Sequence, residues 1–397
     1  MKKGLLKIIG ISSACILISL LATSFFGCGE EKEEKARGPL VDVYRDMFEE
    51  IYNHLMNDVP VVDGDVETDF GDSNAWAPAL FYSLKKEGIA TEKELNLARE
   101  MVEREIRLIE SLSEGLLESL DDTDKLMEVY IGVAGLFIAY EATGNESYKV
   151  AIEEYLDAFK PWAHDSIEAL LLLNLQTDTP YGSIPPYGAT TVLGGIAGFY
   201  LQYYFSVGDS EKASYYAGIG TDILSSLDEL VYDTDSNNYR YSIDAENDFI
   251  YLYSNVTTFQ GLIRAYFYSG EENYLQRAKE IIETMEELYS EVYGGYFAAE
   301  DVSNAPHYGE EYIALSAQNY ITYAFLLLYQ ETGDSKYLDR VENTLSFIET
   351  KLYQDGIVYH DLINGVRADW DCPGCNYQVL YYIYLYDRLL KGKAIIE

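Results

Sequence analysis

The sequence predicts an all-α fold, an (α/α)6 toroid of six helical hairpins with short β-hairpins in the loops at one end. Three observations predict it. An apolar, Tyr-rich helix that ends in a Gly turn recurs along the chain, at Glu141-Ala142-Thr143-Gly144-Asn145-Glu146-Ser147-Tyr148, Ser206-Val207-Gly208-Asp209-Ser210, Tyr268-Ser269-Gly270-Glu271-Glu272-Asn273-Tyr274 and Glu331-Thr332-Gly333-Asp334-Ser335-Lys336-Tyr337, with a diverged copy at Lys86-Glu87-Gly88-Ile89. Reading from Gly88, the glycines lie 56, 64, 62 and 63 residues apart, a period that suits stacked or closed helical hairpins rather than a simple globule. Helices that are apolar all round alternate with amphipathic ones, and long connections alternate with short ones.

Each element has its own justification. Lys2, Lys3 and Lys7 precede an apolar stretch from Ile8 to Phe26 and then Gly27-Cys28, the order of a bacterial lipoprotein signal in which Cys28 becomes the acylated N-terminus. Residues 1–27 are therefore expected to be a signal peptide, and 28–38 a charged tether without apolar periodicity. The toroid is expected over 39–397. Apolar spacing at three and four residues predicts helices over 39–57, 73–87, 91–119, 125–143, 146–174 (broken near Pro161), 189–207, 209–230, 255–270, 272–289, 311–332, 335–352 and 373–391. Six of these, 73–87, 125–143, 189–207, 255–270, 311–332 and 373–391, are apolar nearly all round and read as an inner layer. The others carry Glu and Lys on one face and read as an outer layer, with 39–57 pairing with the last inner helix to close the ring. An open solenoid is the alternative. Each turn Gly suits the left-handed position that ends a helix, and the Asn, Asp or Ser after it can cap the next.

The short turns join inner to outer helices. The return connections are long and rich in Tyr, Gly, Asp and Asn, with small hairpins expected at 230–241, 293–297 and 352–359. Because the helices alternate in direction, all the long connections gather at one end, where function is expected.

The chain has 397 residues, 48% of them hydrophobic, ample for a large core, and a formal net charge of −39. That charge disfavours nucleic acid and anionic membrane, which need clustered Lys and Arg. The only membrane contact expected is through the N-terminal lipid. The 38 Tyr suit helix–helix contacts that bury a ring and keep a polar tip. There is no phosphate loop, serine elbow or zinc-protease motif.

Five clusters at the long-connection end carry candidate chemistry. Asp63-Gly64-Asp65-Val66-Glu67-Thr68-Asp69 through Trp76 alternates acids in a way that could take Ca²⁺, but lacks the Gly and Glu of a calcium loop; no cofactor is expected, and Asp72 or Ser73 reads first as a helix cap. Asp121-Asp122-Thr123-Asp124 precedes an inner helix, where Asp122 or Asp124 is either a cap or one of two opposed carboxylates. Pro180 to Tyr187 is a stiff loop in which Tyr187 could form a sugar platform. His307-Tyr308-Gly309-Glu310-Glu311 places Glu311 at an inner-helix start. The densest cluster is His360-Asp361 with Arg367, Asp369, Trp370, Asp371, Cys372, Cys375, Asn376 and Gln378. Cys372-Pro-Gly-Cys375 is expected to be a disulfide that stiffens this loop; two Cys alone fall short of a zinc site, so no metal is expected.

The Thr332-to-Leu338 turn, the Gly294-Gly295-Tyr296-Phe297 hairpin and the helical period resemble the six-hairpin glycosidase-type (α/α)6 toroids, over roughly 40–391. That resemblance implies a carbohydrate-active enzyme, with a glycoside hydrolase acting through paired carboxylates as the leading expectation and a carbohydrate or oligosaccharide as partner. A non-catalytic glycan- or protein-binding surface lipoprotein is the alternative, followed by a sugar epimerase or polysaccharide lyase. The acids expected to act are Asp72, Asp122, Asp124, Glu311, Asp369 and Asp371. Trp76, Tyr187, His307, His360, Arg367, Trp370, Asn376 and Gln378 are expected to bind substrate.

Overall fold

Twelve α-helices stand among the residues that the computed structural model describes, which are 39–59, 61–62, 65–66, 72–113, 123–160, 189–240, 250–299 and 311–395. In chain order they are α1 (Arg45–Asn57), α2 (Asp72–Lys86), α3 (Glu92–Ser113), α4 (Thr123–Thr143), α5 (Glu146–Ala158), α6 (Ala189–Val207), α7 (Glu211–Leu230), α8 (Leu252–Ser269), α9 (Glu272–Met285), α10 (Leu315–Thr332), α11 (Ser335–Phe347) and α12 (Pro373–Leu390). The even-numbered helices are the inner layer. Each packs on the next, α2 on α4, α4 on α6, α6 on α8, α8 on α10 and α10 on α12, and α12 returns to α2. The ring is closed, as the sequence predicts, and the open solenoid is excluded. Outer helices α3, α5, α7, α9 and α11 pack on the inner helices that precede them, and α1 packs on α12, where the Asp42 N–H donates to Asp387 (2.9 Å).

The turns behave as the repeat predicts. Gly88, Gly144, Gly208, Gly270 and Gly333 all have φ between +63° and +83°, a conformation that costs glycine least. Asn145, Ser210 and Asp334 then cap α5, α7 and α11 through their side chains. Gly392 (φ +71°) ends α12 in the same way and is the sixth copy of a signal of which the sequence displays five plainly.

Tyrosine hydroxyls tie neighbouring elements together through acids: Tyr203 of inner α6 reaches Glu153 of outer α5, Tyr216 of α7 reaches Asp157 of α5, Tyr52 of α1 reaches Glu94 of α3 (2.7 Å), and Tyr296 of the hairpin reaches Glu286 just after α9 (3.1 Å). Part of the acidic excess is thus spent inside the fold.

The long connections carry two-stranded hairpins, β3–β4 (Tyr232–Asp233 with Asn238–Tyr239) and β6–β7 (Tyr353–Gln354 with Ile357–Val358), and a bridge between Tyr289 and Tyr296. A short hairpin, β1–β2 (Val61–Val62 with Asp65–Val66), precedes α2. A further hairpin, β8–β9 (Asp361–Ile363 with Val366–Arg367), turns on Asn364-Gly365, both with positive φ, the pair that favours a tight two-residue turn. It pairs with β5 (Tyr312–Ala314). The helix expected from 311 therefore starts only at Leu315, because residues 312–314 pair with a strand some fifty residues away, which no local period reveals.

One device repeats on three inner helices. The fourth residue of α8, α10 and α12 is Asn255, Gln318 and Asn376, each with 0% exposure. Each amide oxygen accepts the N–H of a hairpin residue, from Tyr239 (2.7 Å), Tyr296 (2.8 Å) and Val358 (2.8 Å). Each amide NH₂ donates to the carbonyl of that same residue, at 3.2, 2.8 and 2.9 Å. It also donates back to the carbonyl four residues earlier. The amide stands in for a neighbouring strand and satisfies backbone groups that would otherwise be buried unpaired.

Candidate functional site: an axial cavity and the long-connection end

Asp122, Tyr187, His307 and Cys28 lie outside the described residues, and of Asp124 only the backbone is described, in the first turn of α4. Asp371, Glu311 and Asp72 each hold partners of their own. Asp371 is tied to outer helix α1 through His54 Nε2 (3.3 Å) and also accepts from Asn376 (3.1 Å). Burial raises its pKa, with the His54 hydrogen bond opposing that rise. Glu311 accepts from Tyr293, and its own N–H meets Asn364 (3.0 Å). Asp369 is exposed in the loop before α12. Asp72, the first residue of α2, points its Oδ2 at Cys375 Sγ (3.9 Å) and Cys372 Sγ (4.0 Å).

The expected ligand-binding residues divide similarly. Asn376 and Gln378 are buried scaffolding, not a binding surface: Asn376 is the strand surrogate described above, and Gln378 joins Asn319 (3.0 Å) to Tyr382 (3.1 Å). Arg367 lies over the Tyr359 ring (4.6 Å) and reaches Gln354 and the Tyr353 carbonyl. His360 and Trp370 do form a pair, with ring centroids 4.3 Å apart, and His360 Nδ1 meets Asp361 at 2.5 Å. Asp361 in turn accepts from Tyr312 (2.9 Å).

The expected disulfide is not what the structure holds. Cys372 and Cys375 are thiols. Cys372 is the N-cap of α12, its Sγ accepting from the Cys375 N–H at 3.3 Å. The helical turn brings both sulfurs to within 4.0 Å of Asp72 Oδ2.

An opening lies along the toroid axis. A cavity of about 720 Å³ is lined by residues of all six inner helices. It runs from Trp76, Tyr130 and Tyr320 in the N-terminal halves of their helices to Glu87, Arg388 and Lys393 at the Gly-turn end. The described opening thus extends toward the end opposite the one the loop lengths suggest. Its walls are aromatic, with Trp76, Phe199, Tyr323 and Tyr381 among them. Trp76 meets Tyr382 edge-on (5.7 Å), and Tyr382 stacks on Tyr323 (5.4 Å). Trp76 Nε1 is buried and has no hydrogen-bond partner among the described residues.

A polar belt crosses these walls. Lys86 pairs with Glu141 (3.1 Å), Glu141 accepts from Gln202 (2.8 Å) and Ser206 (2.6 Å), and Arg264 Nε donates to Gln202 (3.0 Å). Sequence reasoning missed Arg264, Gln202 and Glu141, although Arg264 is the single charge in otherwise apolar α8, and a charge in an inner helix is a signal in itself. Burial raises the phenols of Tyr130, Tyr320, Tyr323 and Tyr381 above the usual tyrosine value, and Tyr384 is pushed up to about 12. These rings keep their protons at ordinary pH, and the Tyr130 and Tyr384 hydroxyls donate to the Thr191 and Ser83 carbonyls (3.3 and 3.5 Å). The Asp72 charge adds to the rise at Tyr320. Burial alone would raise the Glu87 carboxyl, but hydrogen bonding and charge from Lys393, with Arg388, outweigh it and hold Glu87 below its usual value.

No protein-family model and no curated protein sequence matches the chain. Solved structures do match by shape. A sugar epimerase from a ruminal bacterium aligns with a TM-score of 0.58 at 13% identity, over 88% of this chain and 100% of that one. A GH76 alpha-mannanase from Bacteroides thetaiotaomicron aligns equally well, at 0.58 and 13%, over 88% and 98%. An unsaturated glucuronyl hydrolase from Bacillus sp. aligns at 0.55 and 15%, over 87% and 95%. With its closed ring of twelve described helices, the chain has the (α/α)6 toroid fold of these structures.

Proposed function

We propose that the protein is a carbohydrate-active enzyme that takes an oligosaccharide into the axial cavity. The cavity itself carries this reading. Aromatic faces, protonated phenols and an amide–guanidinium belt are what a sugar, apolar on its ring faces and polar at its rim, requires of a site. Shape neighbours that include an alpha-mannanase, a glucuronyl hydrolase and sugar epimerases support it. Glycoside hydrolysis is the leading reaction, and it needs two carboxylates on opposite sides of the bond. Of the acids singled out in the sequence, Asp371 and Glu311 are engaged in the scaffold and Asp72 faces the thiols, so proton transfer falls to Asp122, Asp124 or Asp369. The two described acids of the cavity, Glu87 and Glu141, are both ion-paired with Lys or Arg. That pairing favours a binding protein as the second reading.

An oligosaccharide panel separates the two, with reducing-end release reporting turnover. A ligand is expected whose affinity falls about tenfold or more in both Trp76→Ala and Arg264→Ala, equivalent to about 1.4 kcal/mol each. Turnover of that ligand supports the enzyme, and binding without turnover replaces it with the binding protein. Affinity unchanged in both variants removes the cavity from the argument. The proposed setting is extracytoplasmic, with Cys28 lipidated. Intact-mass analysis of the membrane-associated chain should show a diacylglyceryl-modified Cys28 as its first residue, and an unprocessed Met1 would contradict it.

A further inference from the structure

We infer that Asp72, Cys372 and Cys375 form a binding site for a borderline-soft divalent metal ion of the Zn²⁺ class, at the point where the first turns of α2 and α12 close the ring. The two sulfurs and the Asp72 carboxylate oxygen all lie within 4.8 Å of one another, with the sulfur–oxygen separations at 3.9 and 4.0 Å. Tetrahedral Zn²⁺ with Zn–S near 2.3 Å and Zn–O near 2.1 Å sets its ligand atoms roughly 3.5–3.8 Å apart. The sulfur–oxygen pairs thus need to close by less than about half an ångström, and the sulfur–sulfur pair by at most about 1 Å.

Several features of the chain bring these groups together. Pro373 begins α12, and the helical turn puts Cys372 and Cys375 on one side, only 3% and 2% exposed. Gly374 lets this turn press onto the start of α2: a Cβ there would fall 2.1 Å from Asp72 Cβ and 2.6 Å from Ser73 N. The backbone N–H of Cys375 already donates to Cys372 Sγ, and two helix N-termini favour anionic ligands at this spot. Thiolates select against the hard cations Ca²⁺ and Mg²⁺ and in favour of Zn²⁺. Binding converts both thiols to thiolates and releases their two protons to solvent. Three protein ligands leave a fourth position for water or a ligand donor atom, and Trp76, one turn along α2 from Asp72, lines the axial cavity. The site therefore adjoins the proposed sugar cavity, but it stands on its own geometry whatever that cavity binds.

The test uses the full-length chain, reduced and stripped with a chelator, then titrated with Co²⁺ and afterwards with Zn²⁺. One Co²⁺ per chain is expected, with thiolate-to-metal charge-transfer absorption and the intense visible bands of a tetrahedral site, displaced by one Zn²⁺. Cys372→Ser and Cys375→Ser should each lower Zn²⁺ affinity by more than the roughly 10–100-fold that loss of an outer partner costs, with far-ultraviolet circular dichroism unchanged. Asp72→Asn should weaken binding at least about tenfold yet keep the charge-transfer band, because both thiolates remain. The wild-type spectrum alone can refute the site: no charge-transfer band in the reduced protein overturns it. So does a Cys372–Cys375 disulfide that forms despite stoichiometric Zn²⁺, and wild-type affinity in Asp72→Asn removes the carboxylate from the ligand set.

Discussion

Gly135→Ala is expected to destabilise the protein by about 3 kcal/mol, the upper end of what overpacking a tight contact costs. Gly135 lies where α4 crosses α2. A Cβ at that position would fall 2.3 Å from the Asn74 carbonyl oxygen, 2.8 Å from the Ala75 carbonyl oxygen and 3.0 Å from Ala75 Cα. All three are backbone atoms of another helix, so relief requires the helices to separate, and every neighbouring contact in a closed ring resists that. Gly218→Ala supplies the opposite sign. Gly218 sits inside α7 and a Cβ there meets nothing within 4 Å, so the alanine should stabilise by roughly 0.5–1 kcal/mol through helix propensity. Urea unfolding of the two variants beside the parent measures both. Equal stability of Gly135→Ala and the parent would mean that the inner helices are not in backbone contact there.

Gln318→Leu is expected to cost about 3 kcal/mol although it keeps the side-chain volume nearly constant. The loss is of hydrogen bonds alone. The Tyr296 N–H and C=O each lose their partner on Gln318, and Tyr296 is 1% exposed, so water does not replace it. Each buried backbone group left unpaired costs roughly 1–3 kcal/mol. The damage should centre on the hairpin around Gly294, seen as faster amide exchange at residues 288–297, while α10 itself keeps its protection. Uniform loss of protection over the whole chain, with no excess at this hairpin, would show that the amide supports the core generally rather than bracing the strand.

The fold was legible because its signals are local and repeated. A Gly that needs a left-handed backbone, a cap after it, and helices that are apolar on all sides each declare themselves within a few residues, and the period multiplies them. The features that escaped depend on partners far along the chain. Asn255, Gln318 and Asn376 fall in register with the repeat, but a lone amide in an apolar helix does not show that a strand lies opposite. Asp371 read as a cleft acid because its loop is rich in polar residues, and only the position of α1 shows that His54 takes it. The run 312–314 continues a helical pattern, and its pairing with β8 is non-local. Asn364-Gly365 is the exception, a hairpin signal present in the sequence itself. The candidate site was the least legible part. Which inner-helix faces line the axis depends on how six helices are rotated about it, so Arg264 and Gln202, apparently plain interruptions of apolar helices, became the belt of the cavity.

The brackets and the ring closure differ greatly in the length of chain they span. The amides of α8, α10 and α12 join residues 16, 22 and 18 positions apart, whereas α2 and α12 meet across 301. The entropy lost when a flexible chain is looped grows only with the logarithm of its length, so joining the ends of the ring costs about 2.5 kcal/mol more than setting one bracket. A few well-packed side chains at the α2–α12 contact offset that difference. The toroid can therefore shut without a covalent fastener between its first and last hairpins, and the length of chain between them is a small term in its stability.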